Sequence, residues 1–307
     1  MSEEAPDWYQ WRYRPQQVER PAWFKSWPGG KRLAVGIKMM HEWQSMPSGA
    51  ARHGLSSHAT RPYDYLSLAA REYGFKAGVG RLMDVLDKHG VKATAMVSGL
   101  AAELWPDSVR AVKARGHEIA THQWDQSVTP PLYKSRDEER AFLQKSMAAI
   151  QRVTGERPTG YFSPGPRATE NTLEVIADEG FVWTGDYQDC DIPYLIDVNG
   201  RKMVSVGFVR PAYTDNDLTP LGLAGGLRQL IDAFDATYEE SARHPMKFAY
   251  GVHTHISGGP GMARLLDRFL GHVKRRRGVW FCTAMEMARF WLEKEAPVKK
   301  PAKGERR

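Results

Sequence analysis

The sequence has few of the features that mark secreted, membrane-spanning and nucleotide-binding proteins. Its 307 residues include only two cysteines, Cys190 and Cys282, so we expect no disulfide framework and a reducing compartment is sufficient. No apolar run approaches the roughly 18 residues of a membrane helix. The polar N-terminus MSEEAPDWYQWRYR lacks the apolar core of a signal peptide. There is no GxGxxG or Walker loop. We therefore expect a cytoplasmic protein with no membrane partner and little support for nucleotide binding.

The net charge of +7 is concentrated at the C-terminus. Residues 294–307 contain six Lys or Arg and two Glu, so this segment supplies +4 of the total. It contains Pro and Gly without an apolar anchor, and residues 295–307 are therefore predicted to form a disordered basic tail. A second basic run, at 274–277, ends a predicted helix, where cations complement the helix dipole. No nucleic-acid-binding motif accompanies the charge, so we expect no nucleic-acid partner.

One unit recurs along the chain: an amphipathic helix, a Gly and a short apolar strand. Its four copies are RLMDVLDKHG-VKATAMV, SVRAVKARG-HEIAT, TLEVIADEG-FVWTG and LLDRFLGHVKRRRG-VWFCT. Nearly continuous apolar strands are typical of parallel sheets that helices cover. Further strand candidates are RLAVGIKM, residues 161–162, 203–206 and 247–252, and further helices are predicted at about 136–153, 221–241 and 260–276.

Seven or eight strands that alternate with helices favour an α/β protein with a closed (β/α) barrel, and a doubly wound sheet is the second choice. No linker is evident inside residues 32–294, so we predict one catalytic domain over this range. Residues 1–31 are rich in Trp and Pro. They are predicted to form an N-terminal arm that packs on the barrel or on a partner subunit.

Candidate catalytic side chains stand directly after predicted strands. Glu42 follows the first strand, His122 follows HEIAT, and His253 follows KFAYGV. Because the carboxyl ends of parallel barrel strands meet at one mouth, these three residues are predicted to share a site. Strand alternation sends only one of His253 and His255 inward, and His253 is our choice. Burial beside Met40 and Trp43 is expected to raise the pKa of Glu42.

A second set of residues is predicted to bind substrate. Asp186 follows a strand, although it could instead support a turn. Arg167 is a candidate anchor for a carbonyl or an anion. Tyr213, Asn216 and Asp217 are expected to form hydrogen bonds with a small polar ring. Trp124 is a candidate for an aromatic wall of the pocket, although such residues are more often core packing.

Several segments resemble the polysaccharide deacetylase (NodB homology) family in order and spacing over about residues 27–292. They are WPGGKRLAVGI, GVKATAMVSG, ARGHEIATH, GYFSPGPRATENTLEVIADEGF, Asp186 with DIPY, and VHTHISGGPG. The segments EYGFKAGVGRL, DCDIPY and AYTDND are similar to the branch that contains cofactor-free allantoinases and cyclic-imide hydrolases. The resemblance implies a distorted (β/α)7 barrel and hydrolysis of a non-peptide carbon–nitrogen bond.

The family motifs are only partly present. The resemblance gives Glu42 the position of the general base, but Trp43 stands where the family has an acidic metal ligand. Of the family's His-x-x-x-His pair only His122 remains, because Gln126 replaces the second His. Since Trp cannot ligate and Gln is a poor zinc ligand, we expect no metal and no other cofactor. The alternative is zinc in a regrouped site of His41, Glu42, His122 and Asp125.

The preferred hypothesis is a metal-free hydrolase of a small cyclic amide, imide or ureide. Glu42 would take a proton from the attacking water, and His122 or His253 would protonate the departing nitrogen or support the oxyanion. One alternative is a metal-dependent deacetylase of N-acetylated sugars, which would belong to carbohydrate metabolism. The other is an inactive barrel kept as a binding protein. A homo-oligomer, with contacts through the arm, is compatible with the resemblance.

Overall fold

The structure is a computed structural model that describes residues 12–15, 17–45, 65–208 and 213–295; the side chains at positions 65–67 and 213 are not among the described atoms. The predicted basic tail lies outside these ranges, apart from Glu295. The first eleven residues of the predicted arm also lie outside them.

The core of the fold is one curled, mainly parallel sheet. Its strands are β1 (Leu33–His41), β2 (Thr94–Val97), β3 (Glu118–Thr121), β4 (Gly160–Tyr161), β5 (Trp183–Thr184), β6 (Tyr194–Val198), β7 (Arg201–Ser205), β8 (Tyr213–Thr214), β9 (Met246–His253) and β10 (Val279–Phe281). Their order is β6-β7-β5-β4-β3-β2-β1-β9-β8, and β10 pairs with the start of β1. The sheet forms a half-barrel, which confirms the predicted NodB-like (β/α) barrel.

Helices cover the outer face of the sheet. They are α1 (Tyr65–Tyr73), α2 (Val79–Lys88), α3 (Gly99–Leu104), α4 (Pro106–Ala114), α5 (Arg136–Thr154), α6 (Thr172–Asp178), α7 (Asp215–Leu218), α8 (Gly222–Glu240), α9 (Pro260–Lys274) and α10 (Ala284–Glu295). Several helices end before a Gly with a positive φ, as the repeated unit predicts; Gly90 has φ 58° and Gly278 has φ 77°. In the part of the chain that is described, no helix is long and apolar enough to cross a membrane.

Strand β6 is the main element that the sequence pattern did not reveal. It pairs antiparallel with β7 through the turn at Asn199 and Gly200, both of which have positive φ. An Asn-Gly pair between two apolar segments is a strong hairpin signal. The prediction assumed helix–strand alternation throughout, so this hairpin was missed.

The described part of the N-terminal arm packs against the bottom of the barrel. Phe24 and Trp27 are each 1% exposed and lie edge to face at 4.8 Å, and Phe24 makes a second edge contact with Trp291 of α10. The Trp27 Nε1 donates to the Met246 carbonyl at 2.7 Å, so the indole is both buried and hydrogen-bonded. The arm therefore contributes to the same apolar core as α10.

A five-residue π-helical segment, Gly74–Gly78, joins α1 to α2 and lies directly against the loop after β9. A Cβ on Gly78 would stand 2.1 Å from the Thr254 carbonyl oxygen, and one on Gly74 would stand 2.8 Å from the His255 nitrogen. Only Gly permits this approach. The segment EYGFKAGVGRL thus holds the end of α1 against the mouth of the barrel.

Candidate active site

Glu42 follows β1 and is held between two basic side chains. Its Oε1 accepts a hydrogen bond from Arg71 Nη1 at 2.6 Å, and its Oε2 lies 3.1 Å from His122 Nε2. Glu42 is 6% exposed, His122 is 2% exposed and Arg71 is 8% exposed. This arrangement is a buried ion pair with an imidazole on the opposite oxygen. It brings together two of the three predicted catalytic residues.

The ring of His122 is fixed by a backbone carbonyl. Its Nδ1 lies 2.6 Å from the Phe162 carbonyl oxygen, which can only accept, so Nδ1 carries a proton. The ring also stacks on Phe162 at 5.4 Å with 8° between the planes. Nε2 is thereby aimed at Glu42, and a hydrogen bond there requires a proton between the two groups. Its position orients the Glu42 carboxylate.

The direction of the Glu42 pKa shift is opposite to the prediction. Burial raises the pKa, as expected, but the hydrogen bond from His122 and the positive charges of Arg71 and His253 lower it more, and the net pKa lies well below its usual value. The prediction failed because Arg71 is on a helix and was not recognised as a neighbour. Glu42 is therefore ionised at neutral pH.

His253, at the end of β9, is paired with a carboxylate that the prediction did not include. Asp215 is fully buried, and its Oδ1 lies 2.5 Å from His253 Nδ1. The other oxygen, Oδ2, accepts hydrogen bonds from the His253 backbone nitrogen at 2.6 Å and from Ser257 Oγ at 2.7 Å. Asp215 thus fixes the tautomer of His253, with Nδ1 as donor and Nε2 left for other chemistry.

The pKa values of Glu42 and His253 move apart. Burial lowers the pKa of His253, but the charge and hydrogen bond of Asp215 and the charge of Glu42 raise it more, so the net shift is upward. His253 pairs with Met40 across β1 and β9, two residues before Glu42, and Glu42 and His253 act electrostatically on each other. Opposed shifts of this kind assign an ionised base and a protonated acid.

Asp186 forms another buried part of this site. Its Oδ1 accepts from the Ser163 backbone nitrogen at 2.7 Å, while Oδ2 has no hydrogen-bond partner among the described residues. Burial raises the pKa of Asp186 to about 6, although hydrogen bonds from Ser163 and the charge of His122 oppose this. Asp186 is thus close enough to His122 for the two groups to interact electrostatically, and its role in substrate binding stays a prediction.

Comparisons with known proteins agree on one family. Residues 71–183 match the family model described as polysaccharide deacetylase. The chain is similar to this family over those 113 residues. A peptidoglycan deacetylase of Helicobacter pylori is 24% identical over 73% of this chain and 87% of its own length.

Two solved structures superpose on most of this chain. A probable polysaccharide deacetylase from Pseudomonas aeruginosa is 27% identical with a TM-score of 0.77, covering 88% of this chain and 94% of its own. PuuE allantoinase is also 27% identical with a TM-score of 0.77, covering 88% of this chain and 93% of its own. The family and these neighbours are hydrolases of carbon–nitrogen bonds, the reaction class that the sequence predicts.

The residues of this chain do not fit the metal that the family's usual motif would hold. Trp43 is core packing, with its ring 5.6 Å from that of Phe75. Gln126 directs its amide to the His122 carbonyl at 3.3 Å rather than into the site. Glu42 is already neutralised by Arg71, a cation that would repel a metal ion.

The regrouped zinc site is not supported by the geometry either. Asp125 Oδ1 accepts from the Ser45 and Ser127 nitrogens at 3.0 and 2.9 Å, and Oδ2 accepts from the Ser45 hydroxyl. The imidazole of His41 bonds Thr254 Oγ1 at 3.3 Å and Ser108 Oγ at 2.8 Å, and burial lowers its pKa to about 3. Within the described ranges, no group of three or more His, Cys, Asp or Glu side chains could hold a metal ion.

The structure also places four of the predicted substrate-binding residues. Arg167 is exposed, and only its backbone nitrogen bonds the loop, at Ser163 Oγ. Trp124 is 7% exposed and packs in the helical layer, with Lys145 Nζ 3.7 Å from its ring centroid. Asn216 is exposed at the start of α7, and Asp217 Oδ2 caps that helix by accepting from the Thr214 nitrogen.

Trp124 is core packing and Asp217 is a helix cap, whereas the substrate contacts of Arg167 and Asn216 stay predictions. The side chain of Tyr213 lies outside the described atoms, and only its place in β8 is defined.

Two residues of the site were missed by sequence reasoning. A signal for Asp215 was available, because Thr214-x-x-Asp217 is a capping box. Assigning Asp217 to the cap would have left Asp215 as the carboxylate free for His253. No comparable signal exists for Arg71, which reaches the site from a helix rather than from a strand end.

Proposed function

We propose that this protein opens a small cyclic amide, imide or ureide by hydrolysis, with water activated by Glu42 and without the family's usual metal. The observation that carries the proposal is the Arg71–Glu42–His122 arrangement beside the His253–Asp215 pair. The first holds an ionised carboxylate, and the second holds a proton on an imidazole. Hydrolysis of an amide bond needs both at once.

In this proposal Glu42 is the general base. Each carboxylate oxygen has two acceptor positions, and among the described residues Arg71 and His122 each take one, on different oxygens, so acceptor positions remain for a water molecule. As the water oxygen attacks the carbonyl carbon, its proton passes to Glu42. The positive charge of Arg71 beside Glu42 favours the negative charge that develops on the carbonyl oxygen.

His253 is the general acid. The tetrahedral intermediate collapses by breaking its carbon–nitrogen bond, and a proton from His253 Nε2 goes to the departing nitrogen. Asp215 stabilises the protonated His253 ring before this proton transfer, and it keeps the proton on His253 Nδ1 by accepting a hydrogen bond from it. The proton taken by Glu42 then replaces the one that His253 has given up, so protons balance over the cycle.

The cyclic substrate class is supported by the similarity to PuuE allantoinase, which matches in fold over 88% of this chain. The metal-independent mechanism is supported by the donor set, in which Trp43 and Gln126 stand at ligand positions of the family motif. Allantoin, a hydantoin and a cyclic imide are all members of the proposed class.

The test is a hydrolysis screen of purified protein against allantoin, hydantoins, cyclic imides and chito-oligosaccharides, with and without a strong chelator. We expect chelator-resistant opening of a small ring. Activity confined to acetylated sugars and abolished by the chelator would overturn the proposal in favour of a metal-dependent deacetylase. No turnover of any substrate by well-folded protein would favour the inactive-barrel alternative.

Replacing Glu42 by Gln supplies the matched test of the mechanism. The amide keeps the size and a hydrogen-bond acceptor but cannot take a proton, so we expect turnover to fall by about 100-fold or more. The measurement is kcat on the ring that the screen identifies. Near-normal turnover would remove Glu42 from the mechanism.

A further inference from the structure

A second imidazole lies beside the proposed acid, His253. The ring centroids of His253 and His255 are 5.5 Å apart, and the rings meet edge to face with 73° between their planes. His255 is half-buried, and the His253 side chain is 12% exposed. Strand alternation was expected to send only one of these two rings into the site, but the structure brings both together.

The alternation does not apply because the strand ends first. Strand β9 ends at His253, whose carbonyl oxygen accepts hydrogen bonds from the backbone nitrogens of Ile256 at 3.1 Å and Ser257 at 2.8 Å. The chain therefore turns directly after His253. The period-two alternation of a pleated strand no longer sets the direction of the His255 side chain.

The backbone of His255 is held in place by the π-helical segment. A Cβ added to Gly74 would stand 2.8 Å from the His255 nitrogen and 3.1 Å from its Cα. Gly74 is only three residues after Arg71, which is paired with Glu42. Packing this close leaves His255 little freedom to move away from the site.

A cyclic imide or ureide has a polar group that must lie near these two rings. Its nitrogen is bonded to two carbonyl carbons. In the proposed mechanism the water held by Glu42 attacks one of them, and His253 protonates the nitrogen. The second carbonyl is bonded to this same nitrogen, so it lies beside His253. It requires a hydrogen-bond donor when the site takes it out of water.

Three of the groups around His253 do not provide this donor. Asp215 and Glu42 both act on the charge of His253, but a carboxylate accepts hydrogen bonds and donates none. The Ser257 hydroxyl donates to Asp215 at 2.7 Å.

Two described neighbours of His253 carry N–H donors, Arg71 and His255. The guanidinium of Arg71 donates to Glu42 at 2.6 Å and to Gln44 at 3.2 Å. The imidazole of His255 has an N–H in both its neutral and its protonated form. Because its ring contacts the acid directly, His255 is the better placed of the two.

We propose that His255 donates a hydrogen bond to the second carbonyl of the substrate ring. This contact makes the site selective for imides and ureides over simple lactams, which have only the scissile carbonyl. The inference rests on the proposed function and narrows its substrate class to rings whose nitrogen lies between two carbonyl groups. His255 binds substrate and transfers no proton.

The experiment compares the ring opened in the hydrolysis screen with its analogue in which sulfur replaces the second carbonyl oxygen. The pairs are hydantoin with 2-thiohydantoin and succinimide with monothiosuccinimide. Sulfur is a weak acceptor, so the analogue loses most of the contact with His255. The measured quantity is the ratio of kcat/KM for the oxygen ring to kcat/KM for the sulfur ring. We expect this ratio to fall by about 10-fold in His255→Phe, the effect of one hydrogen bond.

Two further variants separate binding from structure. His255→Gln keeps an N–H donor and should retain most of the wild-type ratio. His244→Phe makes the same change two residues before β9, at the opposite end of the strand, and should leave the ratio unchanged. The alkaline limb of the pH–rate profile, assigned to His253, should stay in place in His255→Phe.

Each outcome decides one of the two proposals. An unchanged ratio in an active His255→Phe, or an equal loss of activity on both rings, would overturn the role of His255 and leave the proposed function standing. No opening of any ring by the wild-type protein would overturn the proposed function, and this inference with it. Should the Phe ring prevent folding, His255→Ala gives the same test, since it also lacks a donor.

Discussion

Arg71 controls the protonation of Glu42, the carboxylate with which it forms an ion pair. Its guanidinium contributes a positive charge 2.6 Å from Glu42 Oε1, and this charge lowers the pKa of Glu42. Replacing Arg71 by Met removes the charge, so the pKa of Glu42 should rise and the acid limb of the pH–rate profile should move to higher pH. Arg71→Lys keeps the charge and should shift the limb less.

The comparison requires folded protein, because removing one partner of a buried ion pair costs about 3–5 kcal/mol. Circular dichroism of each variant establishes that condition before kinetics are measured. An acid limb that stays in place in Arg71→Met would show that Arg71 does not control Glu42.

Asp215 controls the opposite limb of the same profile. The acid function of His253 is present while its ring is protonated and is lost as the pH rises through its pKa, which lies above the usual value of 6.5. Asp215→Asn removes the charge that raises this pKa, so the alkaline limb should move to lower pH. Ser257→Ala is the control. It removes the neutral hydroxyl that donates to Asp215 Oδ2 and leaves the negative charge of Asp215 in place. Equal shifts in both variants would argue against a charge effect.

At the scale of elements, the π-helical segment connects the site to the rest of the fold. Its Gly78 lies so close to the loop after β9 that an added Cβ would meet the Thr254 carbonyl oxygen at 2.1 Å. Gly78→Ala should therefore destabilise the protein by about 1–3 kcal/mol and lower kcat, because α1 with Arg71 and the loop with His253 must move apart.

Gly80 offers a control only two residues away. A Cβ there meets no atom within 4 Å, and the position is inside α2. Gly80→Ala should stabilise the protein by about 0.5–1 kcal/mol through helix propensity, with kcat unchanged. Urea unfolding and steady-state kinetics of the two variants test the pair. A Gly78→Ala variant as stable and active as Gly80→Ala would contradict the proposed packing.

At the scale of the whole molecule, the N-terminal arm and the barrel should unfold as one unit. Trp27 is 1% exposed and its indole nitrogen is hydrogen-bonded to β9. Trp27→Ala removes a large buried side chain and leaves a cavity, so we expect a loss of about 3–5 kcal/mol in the free energy of unfolding. Urea unfolding followed by fluorescence and by circular dichroism should give one shared transition at lower midpoint. A loss below about 1 kcal/mol would mean that the arm is only loosely attached.

The sequence by itself determined the barrel and the polar groups at its mouth. Nearly continuous apolar strands are typical of sheets covered by helices, so β1 and β9 were predictable from their apolar runs. The Gly after a helix marks where β2, β3, β5 and β10 begin. The positions of Glu42, His122, His253 and Asp186 at strand ends follow from the same pattern, because parallel strands bring their carboxyl ends together.

Only the tertiary structure decided how these groups are charged. A pKa depends on neighbours within a few ångströms, and the decisive ones, Arg71 and Asp215, come from helices distant in sequence from the residues on which they act. The same holds for Trp124 and Asp217, whose side chains serve core packing and helix capping. The pattern of residues along a strand specifies the location of a side chain, but the direction of its pKa shift depends on three-dimensional contacts that the pattern does not encode.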